Sequence, residues 1–321
     1  MLTAYASRND RLEPVSLDAL EQAVWIDLNR PSEEEVRRVE AVVGVHLPTR
    51  EEMAEIELSS RLYEEDDARF MTVTALVNLA EHPERTPVTF VLRDRVLVSI
   101  RHADLKTFEG YATRATRSKA GPCQSGGAVL LSLLESVTDR LADALEKVGA
   151  DIDHLSRVIF RTRQGREKAQ GRDLEALISD IGHQGETIDM IQESMVSIGR
   201  VASFLTATED ENATEAGHKR VFMIQRDANA LGEHAIFLSD KINFLLDATL
   251  GLINLEQNRV MKIFSIVSVV FMPATLVASI YGMNFDIMPE LHWTLGYPYA
   301  LVLMTVVAVV PFLIFRRKGW L

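Results

Sequence analysis

Seven residues near the C-terminal end of the sequence, Asn258, Met261, Ser265, Ser268, Met272, Thr275 and Ser279, recur at alternating three- and four-residue steps. On a helix of about 3.6 residues per turn, that spacing places them along one stripe. They supply a carboxamide, thioethers and hydroxyls, neutral groups that exchange hydrogen bonds with water around an ion but do not titrate near neutral pH. The stripe runs into Tyr281-Gly282-Met283-Asn284, and two carboxylates, Asp286 and Glu290, follow closely. Two roles fit such residues. Facing water, they line a path for ions; facing another helix inside a membrane, the small hydroxyl residues form a close, hydrogen-bonded seam. The pattern alone leaves both open.

The elements that carry these residues read as membrane spans. Ile263–Tyr281 and Leu295–Phe315 contain no charged residue, and each approaches the roughly 20 residues that cross the hydrocarbon core. A buried helical hairpin is the alternative, but soluble cores rarely hold two such runs so close together. Arg316-Arg317-Lys318 follows the second span directly, whereas the loop between the spans carries Asp286 and Glu290 and neither Lys nor Arg. The positive-inside rule then places the C-terminus, and with two spans the N-terminus, in the cytoplasm. The divisions expected here are a first span at 258–281, an outer loop at 282–294, a second span at 295–315 and a basic tail at 316–321.

Two spans cannot enclose a pore, so a wet stripe requires an axis shared by several copies, and the chain must be a homo-oligomer. Each lining residue then becomes a ring. Pro273 sits inside the first span, where it removes a backbone hydrogen bond and either kinks the helix or exposes a carbonyl. Neither span holds a carboxylate or histidine, which favours passive conduction over proton coupling. No GxxxxGK[ST] loop is present, and Gly121, Gly126 and Gly127 do not complete one, so coupling to nucleotide hydrolysis has no support.

Upstream the texture is that of a soluble α/β domain over residues 1–120. Val24–Leu28 and Phe70–Val77 read as strands, and Val88–Ile100 as a hairpin of buried strands around Arg93-Asp94-Arg95. Ser32 with Glu35, and Thr49 with Glu52, are capping boxes that predict helix starts. After a loop around Ala120–Gly127 the chain becomes long-period helical, and residues 125–257 read as a long-helix stalk. Leu130, Leu133, Leu134, Val137, Leu141, Leu145 and Val148 form one apolar stripe on a helix running to about Phe160. A second helix is expected over about Gly171–Leu205, a polar break at Thr206–Asn212, and a third from about Thr214 into the membrane. At about 1.5 Å per residue these helices are tens of ångströms long.

Composition narrows the partners. A formal charge of −12 over 321 residues argues against nucleic-acid binding, which needs a basic face; among partners it fits cations, with plain solubility the commoner meaning of such a balance. The N-terminal residues lack a basic region followed by an apolar one, so no cleavable signal is expected. The single cysteine, Cys123, forms no intrachain disulfide, consistent with a reducing compartment. No organic cofactor is implied, and no nucleophile elbow, kinase motif or metal-hydrolase spacing points to an enzyme. Histidines 154, 183, 218 and 234 read as surface or packing residues.

Tyr281-Gly282-Met283-Asn284-Phe285-Asp286-Ile287-Met288-Pro289-Glu290-Leu291 resembles the CorA family of magnesium and cobalt channels. The family hallmark is Gly-Met-Asn at the outer end of the first span, followed by Met-Pro-Glu-Leu, a second span opening with Gly-Tyr-Pro, and a basic tail ending in Trp-Leu. Here these are matched by Gly296-Tyr297-Pro298 and Arg316-Arg317-Lys318-Gly319-Trp320-Leu321, and the likeness extends upstream through Phe244–Asp247 and Asn258–Lys262. It is specific from about Phe244 onward and architectural before that.

The resemblance implies a funnel-shaped homopentamer in a bacterial-type inner membrane, passing Mg²⁺, and Co²⁺ or Ni²⁺ with it, down the electrochemical gradient. It places Gly282, Met283 and Asn284 at the outer mouth, with Asn258, Met261, Met272 and Thr275 lining the pore below. Mg²⁺ gives up water reluctantly, and a ring of Asn284 amides accepts hydrogen bonds from the hydrated ion without stripping it; a turn role for Asn284 is the alternative. Asp286 and Glu290 fit cation attraction at the mouth or structural pairing. Asp247 matches an acidic position near the inner vestibule, or a solvated helix face.

The family is also gated by intracellular Mg²⁺ held between subunits by carboxylates. Here Met223 falls at the sensor position, with Asp227 one turn on, and Phe264 replaces an aliphatic residue at an inner constriction, so the regulatory metal residues stay unassigned. Three competing readings remain: a Zn²⁺ transporter like the ZntB-type relatives, a membrane-anchored enzyme or sensor, and a structural membrane protein whose stripe is a seam.

Overall fold

The structure is a computed structural model that describes residues 1–55, 57–79, 82–117, 123–161, 174–208, 214–284 and 288–318. Asp286, the Gly319-Trp320-Leu321 tail, residues 120–122, 171–173 and the acidic stretch 209–213 lie outside the described residues.

Seven strands, β1 (Leu2–Arg8), β2 (Arg11–Pro14), β3 (Trp25–Asn29), β4 (Leu62–Glu65), β5 (Ala68–Val77), β6 (Glu84–Arg93) and β7 (Val96–Arg101), form one sheet in the order β2-β1-β3-β7-β6-β5-β4. Only β3 and β7 pair in parallel, with Ile26 opposite Val98; the other neighbours are antiparallel. The expected hairpin is β6–β7, closed at Arg93 and Val96, and Asp94 takes a left-handed φ of 50° at its turn. Two further hairpins turn on Asn9-Asp10 and Asp66-Asp67, all four residues at positive φ. Short Asn and Asp side chains tolerate that conformation, which suits the primed turns that match strand twist.

Helices α1 (Glu33–Val43), α2 (Arg50–Met53) and α3 (Leu58–Arg61) precede β4. Both capping boxes form: Ser32 and Glu35 satisfy each other's backbone donors at the start of α1, and Thr49 and Glu52 do so at α2, which lasts only four residues. Gly44 closes α1 at φ 75° and donates its N–H to Glu40 O at 2.7 Å, a left-handed cap that glycine adopts without strain. Val39, Val43, Leu47 and Met53 from this segment cover Ile26, Leu28, Phe70, Val91, Val98 and Ile100 of the sheet in one apolar cluster.

The other face is covered by α4 (Lys106–Arg117), α5 (Gly126–Arg161) and α6 (Leu174–Ala207). Every residue of the apolar stripe on α5, from Leu130 to Val148, is buried. Gly126 begins α5 against the β6–β7 turn: its N–H donates to Arg95 O at 2.7 Å, and an added Cβ would meet Leu97 N at 2.5 Å. A buried polar chain crosses the sheet here. Trp25 donates to Ser99 at 2.9 Å, Ser99 donates to Asp27 at 2.7 Å, and Arg101 pairs with Asp27 at 2.8 Å. A buried pair of this kind is tolerable because hydrogen bonds occupy the carboxylate oxygens that water would otherwise solvate.

α7 (Glu215–Tyr281) is a single helix of 67 residues, and α8 (Gly296–Arg317) has 22. The chain divides into two compact units, Met1–Leu246 and Asp247–Leu321. α7 continues through Pro273 without interruption, so the proline costs it one N–H donor rather than its helical course.

Candidate functional site

All seven residues of the stripe lie on α7, and all are exposed on the chain. Met261 is 64% exposed and Met272 70%, values at which no other part of the same chain covers these long apolar side chains. Ser265 donates its hydroxyl to Met261 O and Thr275 to Phe271 O, both at 2.8 Å. Each hydroxyl hydrogen is thereby spent on the helix one turn back, and the oxygen lone pairs face outward as acceptors. Acceptors are what the water shell of a cation presents its hydrogens to.

The helix ends where the sequence changes type. Gly282 donates to Ala278 O at 2.9 Å and Met283 to Ile280 O at 3.2 Å, tightening the last turn. A Cβ on Gly282 would sit 3.1 Å from Ala278 O, a tight approach that a side chain there would meet only if the helix end gave by a few tenths of an ångström. Asn284 follows, exposed and outside any helix. Glu290 falls in a short 3₁₀ turn, Pro289–His292, and Asp286 lies outside the described residues. After that turn Trp293 and Tyr299 meet at 5.7 Å between ring centroids, and Gly296 donates to Trp293 O at 2.9 Å.

The structure thus gathers Asn258 to Ser279 on one element that runs directly into Gly282, Met283 and Asn284. Asp247 stands exposed further back on the same helix. Of the remaining candidates, Met223 and Phe264 are exposed, and Asp227 pairs with Arg226 at 3.2 Å. The histidines are dispersed: His183 meets His82 edge-on and His234 stacks on Phe237. Among the described residues no group of three or more His, Cys, Asp or Glu is gathered to hold a metal.

Sequence reasoning missed the contacts that fasten the first part of α7 to the sheet unit. Arg220 reaches Glu135 on α5 with two bonds of 2.8 Å and Ser132 with one of 2.9 Å. Gln225 donates to Ser203 at 2.8 Å, Lys241 pairs with Asp153, and Phe244 stacks on Phe160 at 5.9 Å. The hydrogen bond and charge from Lys241 hold the Asp153 carboxyl below its usual range. Asp139 goes the other way, raised by burial and by its neighbours Glu135 and Asp143. No local spacing signals these pairs, because most join residues some 85 positions apart.

α7 contains an uncharged stretch long and apolar enough to cross a membrane, α8 is a second, and neither is covered by the rest of the chain. Against known proteins, the family model described as CorA-like Mg²⁺ transporter protein matches residues 21–317. The chain belongs to the CorA family. The magnesium transport protein CorA of Escherichia coli strain K12 is 38% identical over 325 residues, covering 100% of both chains. In fold, the chain resembles the complete CorA magnesium transporter structure from Methanocaldococcus jannaschii, with a TM-score of 0.76 at 19% identity over 100% of this chain and 99% of that one. It also resembles the full-length CmaX protein, with a TM-score of 0.70 at 16% identity over 100% and 98%. As a CorA family member the chain is a membrane protein that transports divalent cations, and not an enzyme.

Proposed function

We propose that the chain is one subunit of a homopentameric, funnel-shaped channel that lets hydrated Mg²⁺, and Co²⁺ or Ni²⁺ with it, enter the cytoplasm down the electrochemical gradient. The observation that carries the reading is the exposed stripe Asn258, Met261, Ser265, Ser268, Met272, Thr275 and Ser279 on one helix, leading without a charged residue from Ile263 into Gly282-Met283-Asn284. Copies around an axis convert each position into a ring. At the outer mouth a ring of Asn284 carboxamide oxygens receives the hydrogens of the ion's water, so the ion passes without the dehydration that Mg²⁺ resists. Below it, the Thr275 and Ser265 oxygens offer acceptors, and the Met272 and Met261 rings are apolar constrictions of the kind that dewetting can close.

Asp286 and Glu290 in the outer loop 282–294 raise the local cation concentration, and Asp247 draws ions out at the inner end. With both termini cytoplasmic, an inside-negative potential of 100 mV favours inward movement of a divalent ion by about 4.6 kcal/mol. That force suffices without a titratable carrier group, in keeping with spans that hold none. Gating by intracellular Mg²⁺ belongs to the proposal without assigned residues, since Met223 occupies the expected sensor position and Asp227 is engaged by Arg226.

The test is uptake of Mg²⁺ into proteoliposomes holding the purified chain, followed with a Mg²⁺-sensitive dye under an imposed inside-negative potential. Potential-driven uptake is expected. Absent Mg²⁺ uptake, with Zn²⁺ uptake that follows a proton gradient instead, would overturn the reading.

A further inference from the structure

The basic residues of the C-terminal unit are sorted by position along the membrane-crossing direction, although Asp247 and Glu256 lie at the same end. From residue 247 onward every Lys and Arg is one of five: Arg259, Lys262, Arg316, Arg317 and Lys318. All five are exposed on the chain. α8 is 22 residues long, and the last 22 residues of α7 reach back from Tyr281 to Val260. At 1.5 Å per residue each stretch covers about 33 Å, close to the thickness of the hydrocarbon core. The two are joined at the Tyr281 and Gly296 ends, so their other ends emerge at the same face of the bilayer. Arg259 and Lys262 therefore stand level with Arg316, Arg317 and Lys318. The opposite end carries Trp293, Tyr297 and Tyr299, and the sequence from 282 to 299 holds no Lys or Arg.

A net charge of −12 makes this belt an exception within the chain. Arg and Lys heads on long aliphatic stems at the end of an apolar helix extend to the headgroup level. Among the described residues, Arg259, Lys262, Arg316 and Arg317 have no ion-pair partner. We propose that these five residues form a binding belt for anionic phospholipid headgroups of the leaflet at which the chain's basic end emerges. Charge complementarity selects the occupant: the phosphodiester of an anionic lipid accepts the bidentate bonds that guanidinium offers, while a zwitterionic headgroup cancels its phosphate with its own ammonium. The inference rests on both spans crossing the membrane, not on which ion is carried.

The test uses the purified full chain in a neutral detergent, titrated separately with short-chain phosphatidylglycerol, short-chain phosphatidylcholine and glycerol 3-phosphate. Bound lipid is counted by native mass spectrometry, and the midpoint of thermal unfolding is followed in parallel. Phosphatidylglycerol is expected to bind at least about tenfold more tightly than phosphatidylcholine and to raise the midpoint. Arg316→Gln/Arg317→Gln/Lys318→Gln should weaken its binding by at least about tenfold, and Arg259→Gln/Lys262→Gln in the same direction by less. High ionic strength should weaken it in the unaltered chain, a readout that needs no variant to fold. Equal binding of the two lipids, or phosphatidylglycerol binding that survives all five substitutions, would overturn the belt. So would tight binding of glycerol 3-phosphate, which would make it a site for free phosphate, or loss of oligomer in the variants with lipid binding unchanged, which would assign the five cations to neighbouring copies. Mg²⁺ uptake in the same preparation separates failure of the belt from failure of the channel reading.

Discussion

Residues 1–246 and 247–321 solve the burial problem in opposite ways. In the first unit a seven-stranded sheet is covered on both faces by its own helices, and Trp25, Phe90, Phe108 and Leu133 are almost wholly enclosed. In the second, only Thr249, Gly296 and Ala300 are buried among the described residues. The most apolar stretch of α7 is 0% buried and that of α8 6%. A soluble chain would not leave so much apolar surface bare. The first unit covers its sheet with its own helices; the second leaves bare two helices long and apolar enough to cross a membrane.

If that contrast is right, substitutions in the two units fail for different reasons. The largest effect is expected at the buried pair of the first unit, where Asp27→Ala strands Arg101 without a counter-charge and should cost about 3–5 kcal/mol, read from denaturant unfolding. Nearly as large, but of another kind, is Val306→Lys in the middle of α8, which should lower membrane insertion by about 2.5–3.5 kcal/mol in an insertion assay while leaving the sheet unit's unfolding unchanged. Gly126→Ala forces a methyl onto the backbone of the β6–β7 turn, within 2.6 Å of Val96 C, and should destabilise by about 1–3 kcal/mol.

The smallest expected effect is Ser32→Ala, which removes the side-chain half of a capping box and should cost about 1 kcal/mol. The box also carries a pH signature. The backbone bond from Ser32, with the N-terminal ammonium and the Leu2 N–H, holds the Glu35 carboxyl below its usual value of 4.5. A depressed carboxylate pKa contributes stability above the unfolded value that is lost as pH falls through the folded one. Glu35→Gln should therefore flatten the acid limb of the stability curve below about pH 4.5.

The sequence disclosed what local spacing encodes. Ser32 and Glu35 are three residues apart, the α5 stripe repeats every three or four residues, and the spans are continuous apolar runs; all are legible without knowing what they touch. The parallel pairing of Trp25–Asn29 with Leu97–Arg101 was not, since nothing near Ile26 says that its neighbour is Val98. The hairpins at Asn9-Asp10 and Asp66-Asp67 were missed because these dipeptides signal a turn more weakly than Asn-Gly or Asp-Gly. The Arg220–Glu135 clamp lies beyond any local rule. The candidate site was legible as a stripe ending in Gly282-Met283-Asn284, because periodicity and motif are local. Whether the stripe faces water or a seam depends on neighbouring copies, which one chain's pattern does not encode.

The most direct test of the channel assignment compares Mg²⁺ uptake by the unaltered chain with that of Asn284→Ala in proteoliposomes under an inside-negative potential, after confirming equal insertion and oligomeric state. An Asn284 ring at the outer mouth predicts collapse of uptake in the variant with the assembly intact. Equal uptake by both would contradict the selectivity ring at Asn284 while leaving the chain a transporter.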